Sequence, residues 1–443
     1  MRTTLKYIAL LLIGILSIPN SFSQQNTRSP YSIFGVGLLN YDGFADNAAN
    51  GRNGFSYRHE SNYSFTNPAS ISALQYSVFN TAAYMNLGKL KTSSVNQNFS
   101  NAGFNYIALA VPLKKIKSGL AFGLLPFSDV GYNVINKKDS GTVVIRNEFE
   151  GIGGLSKVNI GWGTDFFKHI SLGANYSHIF GQINESSKRR YPGNRYMTSY
   201  GDQSSVSLKG NHLDLGLQLH TSSDSGLSHV LGFVFSSSTK LNGTQDRFVY
   251  TFTEVYVDNE IPKDTLINTK EKSAKVELPK AFSLSYSIGN HEKWQATVGY
   301  SKSLWSQYSS IYNGNEGLLD NQAYSFGFFA CPTPHFDNSI RANKASRYLK
   351  SIRYSVGFHH SDGYISAFNS KISENGLSIG LGLPFTRIQK SLEGNFKMTS
   401  RIFLTGEFIR RGTLENNLIQ EDFIKITLGL NFADKWFKKR LFN

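Results

Sequence analysis

From about residue 75 onward the chain repeats one pattern, stretches of nine or ten residues in which apolar and small polar side chains strictly alternate. In 281–289, Phe282, Leu284, Tyr286 and Ile288 share one face, and Ala281, Ser283, Ser285, Ser287 and Gly289 the other. In 212–220, Leu213, Leu215, Leu217 and Leu219 alternate with His212, Asp214, Gly216, Gln218 and His220. The stretches 293–301 and 423–432 follow the same rule, and similar segments recur near 104–113, 118–127, 155–164, 170–180, 229–235, 351–358, 376–383 and 401–409. A period of two places alternate side chains on opposite faces of a β-strand. A soluble sandwich also alternates, but its strands are usually shorter, whereas nine to eleven residues is the length of a tilted membrane strand. The polar faces are mostly Ser, Gly, Thr, Asn and Gln, which suits a narrow polar lumen better than bulk water. In hydrocarbon every backbone group needs a partner within the protein, so such strands must close into a barrel. The pattern predicts an all-β fold, a transmembrane antiparallel β-barrel, with 14 to 16 candidate strands.

Composition agrees. Charged residues make up 17% of the chain, below the roughly 25% of soluble domains. Trp162, Tyr176, Trp305, Tyr308 and Trp436 fall at strand ends, where interfacial aromatic girdles are expected. The net charge of +15 favours contact with lipid phosphates. It is not concentrated in a long basic cluster, and no nucleic-acid partner is expected. Cys331 is the single cysteine, so no internal disulfide can form.

The first residues address the chain. Arg2 and Lys6 precede an apolar stretch of 12 residues at 7–18, and Ser21 and Ser23 supply small residues for cleavage before Gln24. This is a secretory signal peptide over 1–23. As a helix the stretch would rise only about 18 Å, too short to span a bilayer. The predicted destination is the outer membrane of a Gram-negative cell, with outer-membrane lipids as neighbours. The division follows as 1–23 signal peptide, 24–74 N-terminal plug or hatch, 75–433 barrel and 434–443 short basic tail. Residues 24–74 do not alternate, and a polar segment of this length lies either disordered in the periplasm or folded inside the lumen. Tyr31, Phe34, Phe44, Phe55, Tyr57, Tyr63 and Phe65 argue against disorder. Connections such as 114–118 and 290–293 are short, while 185–206, 258–274 and 331–349 read as long polar loops at the other end.

Chemical motifs find the wrong context. Gly376-Leu377-Ser378-Ile379-Gly380 matches G-x-S-x-G, but Leu377, Ile379, Leu381 and Leu383 continue a strand straight through it, so Ser378 reads as a lumen-facing small residue. The glycines of 151–154 and 161–163 precede no helix that could hold a phosphate. His291-Glu292 lacks the second histidine of a zinc motif, and His212, Asp214 and His220 read as solvated lumenal residues. No catalytic group, metal site or cofactor is expected, and the chain is not read as an enzyme.

The mature chain resembles the FadL-type outer-membrane transporters of long-chain fatty acids and other hydrophobic compounds. Asn67-Pro68-Ala69 just before the first strand is similar to the Asn-Pro-Ala motif of that family's hatch. Leu278-Pro279 followed by two strands and Leu304-Trp305-Ser306, Arg353-Tyr354-Ser355-Val356-Gly357, and the closing Asp434-Lys435-Trp436-Phe437-Lys438-Lys439 resemble later stretches in the same order. The family's Gly-Met-Gly-Gly-like run is replaced here by Gly51-Arg52-Asn53-Gly54. The resemblance implies about 14 strands plugged by the N-terminal hatch, and porin-like passive uptake of a hydrophobic, fatty-acid-like small molecule. Such a ligand would leave past a shifted hatch or sideways through a gap in the wall. Asn67, Pro68 and Ala69 are the hatch or gating candidates, and no ligand-binding residue carries over. Pro68 fixes its own backbone and restricts Asn67, which suits either a pivot or a plain structural turn. The alternative function is a non-transport barrel serving as a structural or shuttle partner of a secretion machine. A lipid-modifying enzyme built on Ser378 ranks third.

Overall fold

In a computed structural model the chain is described over residues 27–436, apart from 140, 142, 195, 223–225, 255–259, 291, 312–316, 335–343, 368–369 and 392–393. The signal-peptide stretch and the residues after Trp436 lie outside the described residues. A two-residue strand β1 (Leu38–Leu39), a short helix α1 (Ala45–Ala49) and a 3-10 turn (Pro68–Ala73) precede the wall. The wall comprises β2 (Ser77–Lys91), β3 (Asn96–Leu113), β4 (Ser118–Asp139), β5 (Val144–Phe167), β6 (Ile170–Arg190), β7 (Ser199–Ser222), β8 (Ser228–Ser236), β9 (Thr239–Glu254), β10 (Glu260–Leu278), β11 (Ala281–Asn290), β12 (Trp294–Ser303), β13 (Ser309–Ser310), β14 (Asn321–Ala330) and β15 (Arg353–Ser361). A tiny hairpin, β16 (Ser366–Ala367) and β17 (Ser370–Lys371), leads to β18 (Glu374–Ser391), β19 (Gly394–Arg411) and β20 (Gln420–Asp434). A helix α2 (Lys344–Ser351) lies between β14 and β15.

All wall pairings are antiparallel, and β20 pairs with β2 from Asp434↔Ser77 to Gln420↔Lys91, which closes the ring. Three positions are broken at one level. β8 and β9 are halves of one wall strand, as are β10 and β11, and β12 with β13; Pro279 sits in the middle break, where it costs no ladder bond. Counted so, the barrel has 14 strands.

The membrane border is legible along single strands. Outward-facing residues of β6 run Leu172, Ala174, Tyr176, His178, Phe180 and then Gln182, Asn184, Ser186, Lys188, Arg190. On β7, paired with it in register, Leu219, Leu217, Leu215 and Leu213 give way to Asn211, Lys209, Ser207, Ser205 and Gln203. The run from Leu172 to Phe180, interrupted by His178, spans about 27 Å of strand, about 21 Å of height at a tilt near 40°, close to the roughly 25 Å apolar band of such barrels. The short strands β8, β12, β14 and β15 span little more than this band, whereas β4 to β7, β9 and β10 project well beyond it as a curled sheet.

Two expectations are corrected. Trp305 and Tyr308 are not girdle residues: they are 4% and 3% exposed, because the chain leaves the wall after Ser303 and a 3-10 turn swings both rings inside. The stretches 185–206 and 258–274 are largely strand, not loop. The connection 331–349 does not share their end: strand direction places it beside the short turns at 114–117 and 168–169.

Ile379, 52% exposed within the band, tests the lipid-facing assignment. Ile379→Lys is expected to destabilise folding into lipid vesicles by about 2–4 kcal/mol, read from urea titration, whereas Ser186→Lys above the band should change it little.

Candidate functional site

The segment before the wall packs against the inward faces of several wall strands. Gly357 on β15 faces Gly51: a Cβ there would stand 1.9 Å from the Gly51 nitrogen. Gly232 on β8 meets the Phe55 carbonyl oxygen at 2.1 Å in the same sense. No side chain fits either gap. Small residues on the inner face, which the sequence offered only as lumenal polarity, are therefore contacts of the inner segment. An aromatic cluster of Phe44, Tyr63, Phe65 and Tyr106 packs at centroid distances of 4.7–5.8 Å, the first three edge to face and Tyr106 tilted against Phe44, tying the start of α1 to β3.

Asn67, Pro68 and Ala69 lie against β5, β6 and β7. The Asn67 side chain accepts from the Ala69 nitrogen (3.0 Å), capping the 3-10 turn, and its Nδ2 donates to the carbonyls of Phe55 (2.6 Å) and Leu217 (3.3 Å). The motif thus joins two parts of the inner segment and one wall strand. Ser378 is fully buried; its hydroxyl accepts from the Gly51 nitrogen (3.2 Å) and donates to the Ala49 carbonyl (3.2 Å). The serine of the G-x-S-x-G match holds the inner segment to the wall. His212 meets Asp214 at 3.0 Å while His220 meets Ser171 at 3.1 Å, so the pair does not converge. Among the described residues no cluster of three or more metal-ligating side chains forms.

A charged network that sequence spacing could not reveal anchors one side. Arg52 reaches Glu374 (2.7 Å) and Glu407 (2.8 Å); Arg411 reaches Glu374 (2.5 Å) and Glu421 (3.2 Å); Ser29 donates to Glu421. Burial disfavours the Arg52 guanidinium, but Glu407 and Glu374 outweigh it and raise its pKa. On the other side Arg58 bonds Asp165 (3.1 Å) and Ser171 (2.9 Å), and burial outweighs Asp165 in lowering its pKa. A polar relay, Asp46–Asn62–Asn80–Asn431, runs through bonds of 2.9–3.0 Å from α1 to β2 and β20.

Above the inner segment lies a cavity of about 340 Å³. Its floor holds Arg52, Glu374, Arg411 and His359; apolar lining comes from Leu38, Leu39, Ile365, Ile372 and the stacked rings of Trp305 and Tyr364, 4.3 Å apart. Both arginines are already paired with carboxylates.

The same inner residues border a discontinuity in the wall. β3 and β4 pair only from Ile107↔Leu124 to Leu113↔Ser118. Beyond Leu124, β4 parts from β3 through a bulge at Phe127 and pairs instead with β1, Leu38↔Asp129 and Leu39↔Ser128. The Asn40 nitrogen donates to the Phe127 carbonyl (3.0 Å), and Asn40 Nδ2 to Asp129 (2.7 Å). Asp42 pairs with Lys157 at 2.6 Å. Both strands slip at this level: β3 moves its exposed face from Phe104 to Ile107 across a bulge opposite Ala82 and Ala83, and Pro126 with the bulge at Phe127 interrupts β4, the proline being the signal the sequence offers.

These features define an outer-membrane type of antiparallel β-barrel with 14 strands. Solved structures with this fold include the CymD monoaromatic hydrocarbon channel (12% identity, TM-score 0.57, covering 90% of this chain and 99% of that one). The Pseudomonas putida toluene transporter TodX (13%, 0.57, 90% and 99%) and a Pseudomonas aeruginosa FadL homologue (11%, 0.55, 90% and 100%) share it as well. No curated protein matches the sequence. A family model described as BamG matches residues 4–443, and the chain belongs to the BamG family.

Gly357→Leu is expected to expel the inner segment while leaving the ring closed. Limited proteolysis should then cut within residues 27–74, with heat-dependent gel mobility of the barrel unchanged. Arg52→Leu, which strands Glu407 and Glu374, should loosen the same segment more than Arg52→Lys, by a margin of about 1–3 kcal/mol in urea titration.

Proposed function

We propose that the protein lets small neutral hydrophobic compounds cross the outer membrane passively, entering the cavity above the inner segment and leaving sideways between β3 and β4. One observation carries the reading: Leu38, Leu39 and Asn40 line the cavity and also form the strip that replaces β3 along the parted edge of β4. Displacing that strip joins the cavity to the lipid. An apolar solute gains about 0.8 kcal/mol per buried CH₂ on leaving water, and the sideways exit spares it a watery lumen. Among the described residues lining the cavity both arginines, Arg52 and Arg411, are paired with carboxylates, which favours neutral compounds over fatty acids. Asn67, Pro68 and Ala69 act in this scheme as a fixed pivot, with motion confined to the segment on the N-terminal side of α1. The fold shared with a toluene transporter and a monoaromatic hydrocarbon channel supports the reading.

A second reading, a structural or shuttle partner in a secretion machine, draws on the sheet that β4 to β7, β9 and β10 raise beyond the membrane band and on the many contacts that fix the inner segment.

Influx of toluene into cells making the intact protein should exceed that into cells lacking it. Leu39→Glu should cut the excess at least tenfold, and loss of residues 24–73 should change it markedly. Equal influx in all strains, with a stoichiometric protein retained through mild-detergent purification, would move the assignment to the second reading.

A further inference from the structure

The curled sheet beyond the membrane band carries a groove of about 590 Å³, and its lining belongs to one face. Register places Ile152 opposite Asn184, Ser186 opposite Gln203 only across a shared β6–β7 ladder, and Gln203 opposite Phe248, which in turn opposes Asn268. These side chains continue the outward face that carries Phe180 and Leu213 lower down. The groove therefore opens toward the membrane's surroundings, not toward the lumen. In outer-membrane barrels the short turns face the periplasm and the longer elements face outside, so this face meets the outer leaflet.

Height and chemistry select the occupant. From Phe180 to Asn184 is about 13 Å of strand, about 10 Å of height at a tilt near 40°. Phosphate groups of an ordinary phospholipid lie within about 5–7 Å of the hydrocarbon edge, so the groove sits above them, at the level of a sugar headgroup. Most of its side chains are amides, hydroxyls and carboxylates, each able to pair with a sugar hydroxyl as donor, acceptor or both. Phe248, 37% exposed, offers one aromatic face for the apolar side of a sugar ring. Among the described residues, Glu150, Ser186 and Asn268 make no side-chain hydrogen bond within the protein and remain available to a ligand. Lys270 at the rim adds a cation for a phosphorylated sugar.

We infer that this groove binds the oligosaccharide headgroup of an outer-leaflet glycolipid, whose acyl chains lie against the apolar band below. The acyl chains rest on Phe180, Leu213 and Leu215, and the sugars rise along β6 and β7 into the groove. Such a lipid holds the raised sheet at a fixed height and tilt above the bilayer.

The test uses the full-length protein in detergent, delipidated and then incubated with three probes: lipid A bearing core sugars, lipid A alone, and the free core oligosaccharide. Native mass spectrometry reads retention of the first two, and titration calorimetry reads the third. Retention of the core-bearing lipid should exceed that of lipid A at least tenfold. Phe248→Ala combined with Gln203→Ala should cut it at least fivefold, and Asn184→Trp, which fills the groove from the neighbouring strand, should do the same. Heat-dependent gel mobility reports a closed barrel in each variant. Equal retention of both lipids, or retention unchanged in correctly folded variants, overturns the proposal. Free core sugar binding as tightly as the lipid-linked form overturns the membrane-anchored occupant.

Discussion

Every backbone amide and carbonyl at membrane depth must find its partner inside the protein, because lipid supplies none. The ring obeys this through pairing from β2 round to β20 and back. The break between β3 and β4 obeys it differently. There the inner segment lends a two-residue strand and the Asn40 amide to the exposed edge, and the Gly131 nitrogen donates to Ser32 Oγ at 3.0 Å. The wall is thus closed in part by a piece of chain that is not wall, and the properties of cavity, break and inner segment follow from that substitution.

The inner segment is held by three kinds of force with different reach. Close backbone approach at Gly357 and Gly232 fixes position to a fraction of an ångström and tolerates no added atom. The aromatic cluster around Phe44 and Tyr63 supplies non-directional burial. The Arg52–Glu374–Arg411–Glu421 network is directional and buried, so its net contribution to stability is small even though breaking it is costly. The part before α1 is held by the same means, with Tyr31 and Val36 buried and the Thr27 carbonyl close against Gly131, and in addition by strand pairing and by the Tyr364 hydroxyl, which donates to the Gly37 carbonyl at 3.0 Å.

Strand identity, facing and barrel class were legible in the sequence because each depends on nearest neighbours along the chain. Leu213 to Leu219 declare their face without reference to any partner. Ser378 was correctly read as lumenal for the same reason, although its partners Gly51 and Ala49 are more than 300 residues away and could not be foreseen. What the sequence hid were relations between residues far apart in the chain: the pairing of the parted edge of β4 with Leu38 and Leu39, the convergence of Arg52 with Glu374 and Glu407, and the inward swing of Trp305 and Tyr308. Trp305 follows an alternating run and precedes polar residues, as an interfacial tryptophan would. Its burial depends on the strand break at Leu304 and on Tyr364 waiting to stack against it. The FadL-type likeness, seen in short motifs, extends to the whole ring in three dimensions at identities near 12%.

The closing ladder between β2 and β20 joins the first wall strand to the last, with residues 27–74 enclosed. That geometry dictates an order of events during biogenesis. The earliest part of the barrel chain to emerge must be kept unaggregated until strands some 300 residues later arrive to touch it, and the seam can be sewn only once it lies within. Loops of that span are slow to close. The newly exported polypeptide therefore spends long enough incomplete that its apolar faces require protection in transit.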